Sequence, residues 1–377
     1  MLVAPIRHSL IALFILATAW WSLAAAASSG TDPTTTDHVN AQLLATPAWL
    51  QERLDAVLVV DVRTDEHFDG TLIPGAIRLP WSRFRQDNPL SGIGVDFVGV
   101  EQARTILGDH GISRGAELVL YDSVTRDGGA TASYVFWVLD LLGHEHKRIL
   151  DGGIDAWQAA GGELVHSARS PEPLAYAVRP ADVQQRALIH GSTIHQRLDD
   201  PHYQIIDTRS PEEYSGAMGS RGISGQDLKR GHIPGAVNIP YTRAWMDEED
   251  KRIRSQTELE ALYAGLDPAR TQVVYCNSGR RSSFSYFILR LMGFPRVTTY
   301  EASWKEWGLP RAHLPVSTEP TELESDAPPG LSSVEEGRSR AASGGARRQE
   351  AGDDGSHAPQ SSGSGSGSGD GYVSCGG

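Results

Sequence analysis

The sequence predicts an α/β protein made of two tandem copies of one domain, each a mainly parallel sheet flanked by helices. Three observations lead there. The chain has 377 residues with 40% hydrophobic content, too long for one typical core but well supplied for two. Its middle repeats: Leu58-Val-Val-Asp61-Val-Arg63 is echoed by Gln204-Ile-Ile-Asp207-Thr-Arg209, Ile73-Pro-Gly-Ala-Ile77 by Ile233-Pro-Gly-Ala-Val237, Leu118-Val-Leu-Tyr121 by Gln272-Val-Val-Tyr275, Leu142-Gly143 by Met292-Gly293, and Trp157 by Trp307. The echoes keep their order at offsets of 146 to 160 residues, too long a period for a solenoid and right for a duplicated domain. Within each copy, short β-branched runs alternate with helical patterns, the signature of a parallel sheet covered by helices.

The elements follow in chain order. Residues 1–27 read as a signal peptide: Arg7 supplies a positive start, Ser9 to Ala27 carries no charge, and Ala25-Ala26-Ala27 offers a small-residue cleavage site. The protein is therefore expected to be exported, periplasmic or secreted, and to meet a membrane only if the segment stays uncleaved as an anchor. No Cys follows the apolar run, which argues against lipid attachment. The first copy spans residues 38–170, with strands at Val57 to Val62 and Glu117 to Tyr121 and a helix at Thr131 to Leu142. The second spans 180–316, with strands at Gln204 to Asp207 and Thr271 to Tyr275 and a helix at Ser282 to Met292. Residues 317–377 form an acidic tail rich in Ser, Gly and Pro, expected to be disordered because it cannot bury enough apolar surface to offset its ordering entropy.

Composition narrows the chemistry. Two cysteines exclude a disulfide-dense scaffold, a Cys-rich zinc module and a four-Cys iron–sulfur centre. The net charge of −13 argues against nucleic-acid binding. The region from Glu319 onward holds ten acids against four arginines, so nearly half of the acidity belongs to the tail and little to the folded copies. The thirteen histidines show no metal-ligand spacing, His144 with His146 being a weak pair, and no metal or other cofactor is expected.

Ligands of parallel sheets bind beyond the carboxyl ends of the strands. Tyr275 ends one, and Cys276-Asn277-Ser278-Gly279-Arg280-Arg281-Ser282 follows, running into a helix. Backbone N–H groups of such a turn converge on an anion, the helix N-terminus adds about half a positive charge, and Arg280 and Arg281 add full ones. All of this favours thiolate, the nucleophilic form. Ser278 and Ser282 can donate to an anionic sulfur, and Gly279 permits the tight turn. The plain alternative is a buried structural Cys, for which Asn, Ser, Gly and two Arg are a poor lining. A phosphatase-type Cys-x5-Arg cradle is a second alternative; with Arg281 five residues after Cys276, the loop is one residue short of it.

At Asp207-Thr-Arg209, His232-Ile-Pro-Gly-Ala236 and the Cys276-x-x-Gly279-x-Arg281 loop, the chain resembles the rhodanese family, specifically the tandem-domain thiosulfate sulfurtransferases, over about residues 38 to 316. The resemblance implies two tandem rhodanese-like domains and a transferase in which Cys276 takes the outer sulfur of a small anionic donor such as thiosulfate. The persulfide would then pass that sulfur to cyanide, a thiol, or a sulfur-acceptor protein, with Asn277, Ser278, Gly279, Arg280, Arg281 and Ser282 as the substrate-binding cradle. The mercaptopyruvate-using branch shows a loop like Cys-Gly-Ser-Gly-Val-Thr, which this chain lacks. Many animal members place a basic residue near the position of Glu213, where this chain has an acid. A non-catalytic or protein-specific sulfur-delivery module and a mercaptopyruvate-type enzyme are the alternative functions. The first copy has Asp122 at the Cys position and is expected to be inactive, covering the loop of the second.

Plainer roles are expected elsewhere. Asp61 with Arg63 and Asp207 with Arg209 tie down loops, His232 holds a turn, and Trp157, Trp304 and Trp307 pack helices onto the sheets. Cys375 lies near the end of the tail, beside Gly376-Gly377; a flexible linker of about 55 residues spans about 40 Å and could bring it to Cys276.

Overall fold

The computed structural model describes residues 36–88, 94–222 and 225–321. The expected signal peptide, residues 1–27, and the tail beyond Thr321, with Cys375, lie outside the described residues. Among the described residues no helix is long and apolar enough to cross a membrane.

The first copy contributes β1 (Leu44–Ala45), β2 (Leu58–Asp61), β3 (Ile77–Arg78), β4 (Arg85–Asn88), β5 (Gly94–Phe97), α1 (Val100–Asp109), β6 (Leu118–Tyr121), α2 (Ala130–Leu141), β7 (Lys147–Leu150) and α3 (Gly153–Ala159). The second contributes β8 (Tyr203–Asp207), β9 (Val237–Asn238), α4 (Gln256–Leu262), β10 (Thr271–Tyr275), α5 (Arg280–Leu291), β11 (Val297–Thr299) and α6 (Ser303–Trp307). The expected strands and the two expected helices appear within two residues of their sequence bounds. Apolar runs with no alternation, such as Leu118-Val-Leu-Tyr121, are buried on both faces, as parallel strands under two helical layers must be.

The two sheets repeat each other. The order is β1-β7-β6-β2-β3 in the first and β11-β10-β8-β9 in the second, every pair parallel. Val60 pairs with Leu120 as Ile206 pairs with Val274. Leu188 bridges Thr299 beyond β11, in the place that β1 holds beside β7. The second copy continues past the expected start of the tail: Ser317 exchanges backbone hydrogen bonds with His232 (2.8 and 2.9 Å), and the Thr321 N–H reaches the Tyr214 hydroxyl (2.9 Å).

One core runs through both copies. α2 is apolar nearly all round, a pattern that demands burial on every side, and it lies against α5. Phe136 meets Phe287 edge-on with ring centroids 4.9 Å apart, and the Tyr286 hydroxyl donates to Asp140 (2.5 Å). Fully burying one such aromatic is worth about 2–3 kcal/mol. The outer face of each sheet closes a smaller cluster, around Trp157 in the first copy and around Trp304 and Trp307 in the second.

Each copy also lends an arm to the other. The β4–β5 hairpin of the first copy reaches the second, and the segment from Trp245 to Ile253, closed by an antiparallel bridge, reaches the first. The arms end on equivalent acids, 150 residues apart: the Ile253 N–H donates to Asp151 (3.0 Å), and the Phe97 N–H to Glu301. Burial pushes the Asp151 carboxyl up to about 6, against the pull of the Ile253 N–H and Arg252. A carboxyl that holds its proton more tightly folded than unfolded supports the fold below about pH 4 and loses that support as pH rises through its folded value. Asp151→Asn keeps the accepting oxygen. It is expected to leave the melting temperature near pH 4 unchanged and to raise stability by about 1–2 kcal/mol near pH 8. Identical melting curves near pH 8 would show that Asp151 carries no such penalty.

Candidate active site

β10 is buried from Gln272 to Tyr275 and delivers Cys276 at its carboxyl end, at the N-terminus of α5. The turn between them is pinned from α6. The Ser303 hydroxyl accepts the Cys276 N–H (3.1 Å) and donates to the Tyr300 carbonyl (2.7 Å), while the N–H groups of Trp304 and Lys305 donate to the carbonyls of Cys276 (3.1 Å) and Asn277 (2.9 Å). Ser303 does this from a left-handed backbone, φ 55°, a conformation that costs a non-glycine residue about 1 kcal/mol or more. Its counterpart in the first copy is Gly153, φ 59°.

Gly279 caps α5 at φ 87°, and an added Cβ would lie 2.8 Å from the Glu301 carbonyl oxygen and 3.0 Å from its Cγ. Gly279→Ala is therefore expected to cost about 1–3 kcal/mol of stability and to lower activity roughly tenfold or more through a displaced loop. Parent-like unfolding and turnover would show that the loop tolerates a side chain there.

Cys276 is 1% exposed, more buried than a solvent-facing nucleophile, yet its lining is polar. The Ser278 N–H points at Sγ (3.4 Å). Burial opposes ionisation, but the Arg281 guanidinium, the N–H groups of Ser278 and Ser282 and the Ser282 hydroxyl outweigh it, holding the thiol below its ordinary range. The Ser282 hydroxyl has one proton, and the Gly279 carbonyl at 3.0 Å accepts it; a thiolate would compete for it.

The residues expected to form the cradle are unevenly placed about the sulfur, with Ser278, Ser282 and Arg281 acting on it. Asn277 and Ser278 are buried, and the Asn277 side-chain oxygen has no partner among the described residues. Arg281 is paired to Glu213 through two hydrogen bonds (2.6 and 2.9 Å), so part of the positive field expected at the loop is spent on a neighbouring carboxylate. The Arg281 pair in turn holds Glu213 ionised despite its burial. The Arg280 guanidinium lies 5.9 Å from the Trp81 ring of the first copy.

The first copy covers this loop. Arg85 donates to the Ser278 carbonyl (3.0 Å), the Ser133 and Ser283 hydroxyls meet at 3.2 Å, and the Tyr134 hydroxyl reaches Glu301 (2.9 Å). At the place equivalent to Cys276, Asp122 Oδ2 accepts from the N–H groups of Thr131 (3.1 Å) and Ala132 (3.0 Å) and from the Thr131 hydroxyl (2.8 Å). A fixed carboxylate thus fills the anion seat at the start of α2 and stabilises the helix end.

The flanking motifs take structural places. Arg63 and Arg209 grip Asp61 and Asp207 in the fork-on geometry and reach the carbonyls of Thr71 and Gly231. His232 Nδ1 hydrogen-bonds to the Tyr214 carbonyl (2.8 Å), with its ring stacked on that tyrosine, and it holds its turn. Trp304 is buried and donates to the Lys229 carbonyl, so it packs rather than lining a cleft. A groove of about 430 Å³ lies away from Cys276, beside Arg186, His190, Thr271 and Arg296. Sequence reasoning missed Ser303, Glu301 and Arg85. The first two stand where the repeat places Gly153 and Asp151, so the alignment of the copies held the signal; Arg85 sits on a hairpin that no motif marks.

The family model for the rhodanese-like domain matches residues 46–160 and 192–309. A Mycobacterium leprae protein is 34% identical over 274 residues, covering 71% of this chain and 94% of its own. The thiosulfate sulfurtransferase of Corynebacterium glutamicum is 31% identical over 293 residues, covering 76% and 94%. A sulfur carrier protein of Thermus thermophilus is 33% identical over 280 residues, covering 72% and 95%. Among solved structures, an anaerobic ergothioneine biosynthesis enzyme from Chlorobium limicola is similar with a TM-score of 0.63 at 21% identity, covering 73% of this chain and 70% of that one, a likeness of fold alone.

Proposed function

The chain belongs to the rhodanese-like family, a thiosulfate sulfurtransferase-like transferase, and from that premise we propose that it moves a sulfane sulfur from thiosulfate to cyanide or a thiol through a persulfide on Cys276. The observation that carries the reading is the setting of Cys276: a thiol held below its ordinary range by Arg281, Ser278 and Ser282 in a turn whose N–H groups face the sulfur. In the first half-reaction the Cys276 thiolate attacks the outer sulfur of thiosulfate. A sulfur–sulfur bond forms, the sulfur–sulfur bond of the donor breaks, and sulfite leaves with the electron pair. In the second, cyanide or a thiolate attacks the outer sulfur of the persulfide and restores the thiolate. The N–H groups of the turn and the α5 N-terminus stabilise the persulfide anion, and a preionised thiol needs no separate base.

Asn277, Ser278, Gly279, Arg280, Arg281 and Ser282 form the cradle in this reading, and Asp122 makes the first copy inactive in sulfur transfer, because a carboxylate cannot carry a persulfide. Residues 1–27 direct export, and the protein works in the periplasm or outside the cell. A second reading, delivery of sulfur to one acceptor protein, is favoured by the resemblance to a sulfur carrier protein.

Thiosulfate treatment followed by intact-mass and peptide analysis tests the proposal. Gain of one sulfur on Cys276, discharged by cyanide, is the expected result; no gain at that residue would end the reading. Discharge by protein acceptors alone, with negligible cyanide turnover, would select the delivery role.

A further inference from the structure

The cross-copy contacts around Ser278 converge on one arginine of the first copy. Arg85 stands at the start of β4 with its side chain 9% exposed and its guanidinium against the adjoining rings of Trp81 (5.4 Å) and Tyr134 (5.8 Å). Its Nη2 donates to the Ser278 carbonyl (3.0 Å), and its Nε lies 3.7 Å from Glu301 Oε1. Glu301, 5% exposed, accepts the Tyr134 hydroxyl on the same oxygen, and its own backbone packs against Gly279. The guanidinium is thus fixed by two aromatic rings and a carboxylate before it meets the loop.

The peptide unit it grips joins Ser278 to Gly279. A trans peptide is planar, and its carbonyl and N–H point in opposite directions. With the Ser278 carbonyl held by Arg85, the Gly279 N–H is turned the opposite way, away from Arg85. The preceding unit already aims the Ser278 N–H at Sγ. Rotating the 278–279 unit the other way, which φ 87° at Gly279 leaves sterically accessible to a glycine, would turn a carbonyl oxygen inward and set its negative end against a thiolate or persulfide.

We propose that Arg85 is a positioning residue for sulfur transfer: from the copy without a thiol it locks the Ser278–Gly279 peptide so that backbone N–H groups, not a carbonyl, face the Cys276 sulfur. This rests on Cys276 being the sulfur carrier. It makes the first copy part of the working loop rather than a cover over it.

The test uses the full chain and the variants Arg85→Ala and Arg85→Lys. Steady-state transfer from thiosulfate to cyanide gives kcat and KM, and the pH dependence of Cys276 alkylation, read on the Cys276 peptide by mass spectrometry, reports the sulfur directly. Arg85→Ala is expected to lower kcat about 10- to 100-fold with KM for thiosulfate changed less than about threefold, and to move the alkylation midpoint to higher pH. Arg85→Lys, which keeps one donor for the Ser278 carbonyl, is expected to recover part of both effects. An alkylation profile that matches the parent overturns the proposal, whether or not kcat falls. If Arg85→Ala does not fold, Arg85→Lys decides: kcat lowered about three- to tenfold with a smaller alkaline shift supports it, and parent values overturn it. Failure of the parent to take sulfur from thiosulfate would instead sink the proposed activity, while the alkylation profiles would still report whether Arg85 sets the loop.

Discussion

Cys276→Ser is expected to lower sulfur transfer by roughly a thousandfold or more while leaving the fold intact. The replacement is nearly isosteric, and most of what holds residue 276 is backbone. Its N–H donates to the Ser303 hydroxyl and its carbonyl accepts the Trp304 N–H, so these survive the exchange of sulfur for oxygen. The chemistry does not survive. A serine hydroxyl stays protonated where the thiol is drawn toward thiolate by Arg281, Ser278 and Ser282, and an oxygen cannot take and return a sulfane sulfur as a persulfide does. The measurement is sulfite release with cyanide as acceptor, alongside thermal unfolding. Retention of more than about one hundredth of parent turnover in a folded variant would remove Cys276 from the mechanism.

Arg209→Leu is expected to have the largest effect on stability, about 3–5 kcal/mol. Asp207 and Arg209 are 0% and 1% exposed, bonded through two guanidinium nitrogens, and Asp207 also receives the Tyr275 hydroxyl (2.6 Å). Truncating the arginine leaves a carboxylate buried with two neutral donors, the Tyr275 hydroxyl and the backbone N–H of residue 209, and no countercharge, and the Gly231 carbonyl loses its 2.7 Å partner. Both strands that frame the Cys276 turn feel the loss, since β8 carries Asp207 and β10 carries Tyr275. The measurement is the urea midpoint at unchanged slope. Adding Asp207→Asn should recover part of the loss by removing the stranded charge. A shift below about 1 kcal/mol would mean that water reaches the pair and screens it.

What could be read from the chain divides along physical lines. The duplicated sheets, the helices that cover them and the turn after Tyr275 were legible because they rest on local pattern: an unbroken β-branched run, a 3.6-residue period, a glycine at a helix start. The roles of Asp61, Asp207 and His232 were legible for the same reason, since each bonds within its own copy. The Arg281–Glu213 pair was half legible. Glu213 stood out as an acid where a base is usual in some relatives, but only geometry joins it to an arginine 68 residues on. Arg85 on Ser278 and Ile253 on Asp151 were not legible at all. They depend on how one copy is rotated against the other, which follows from the fit of α2 against α5 over their whole length and is written in no single motif. The depth of Cys276 was hidden too, because polar neighbours in sequence suggest exposure, while here they face inward and serve the sulfur.

The exchanged arms bear on how such a chain can change over generations. A duplicated copy with a carboxylate where its twin has a thiol would ordinarily be free to decay or to be deleted. Here its deletion would strip the surviving half of the N–H at Glu301 and the guanidinium at Ser278, and would open the shared core along α5. The reverse holds for the arm that ends on Asp151. Each half forms part of the other's interior, so the two would have to change as one object.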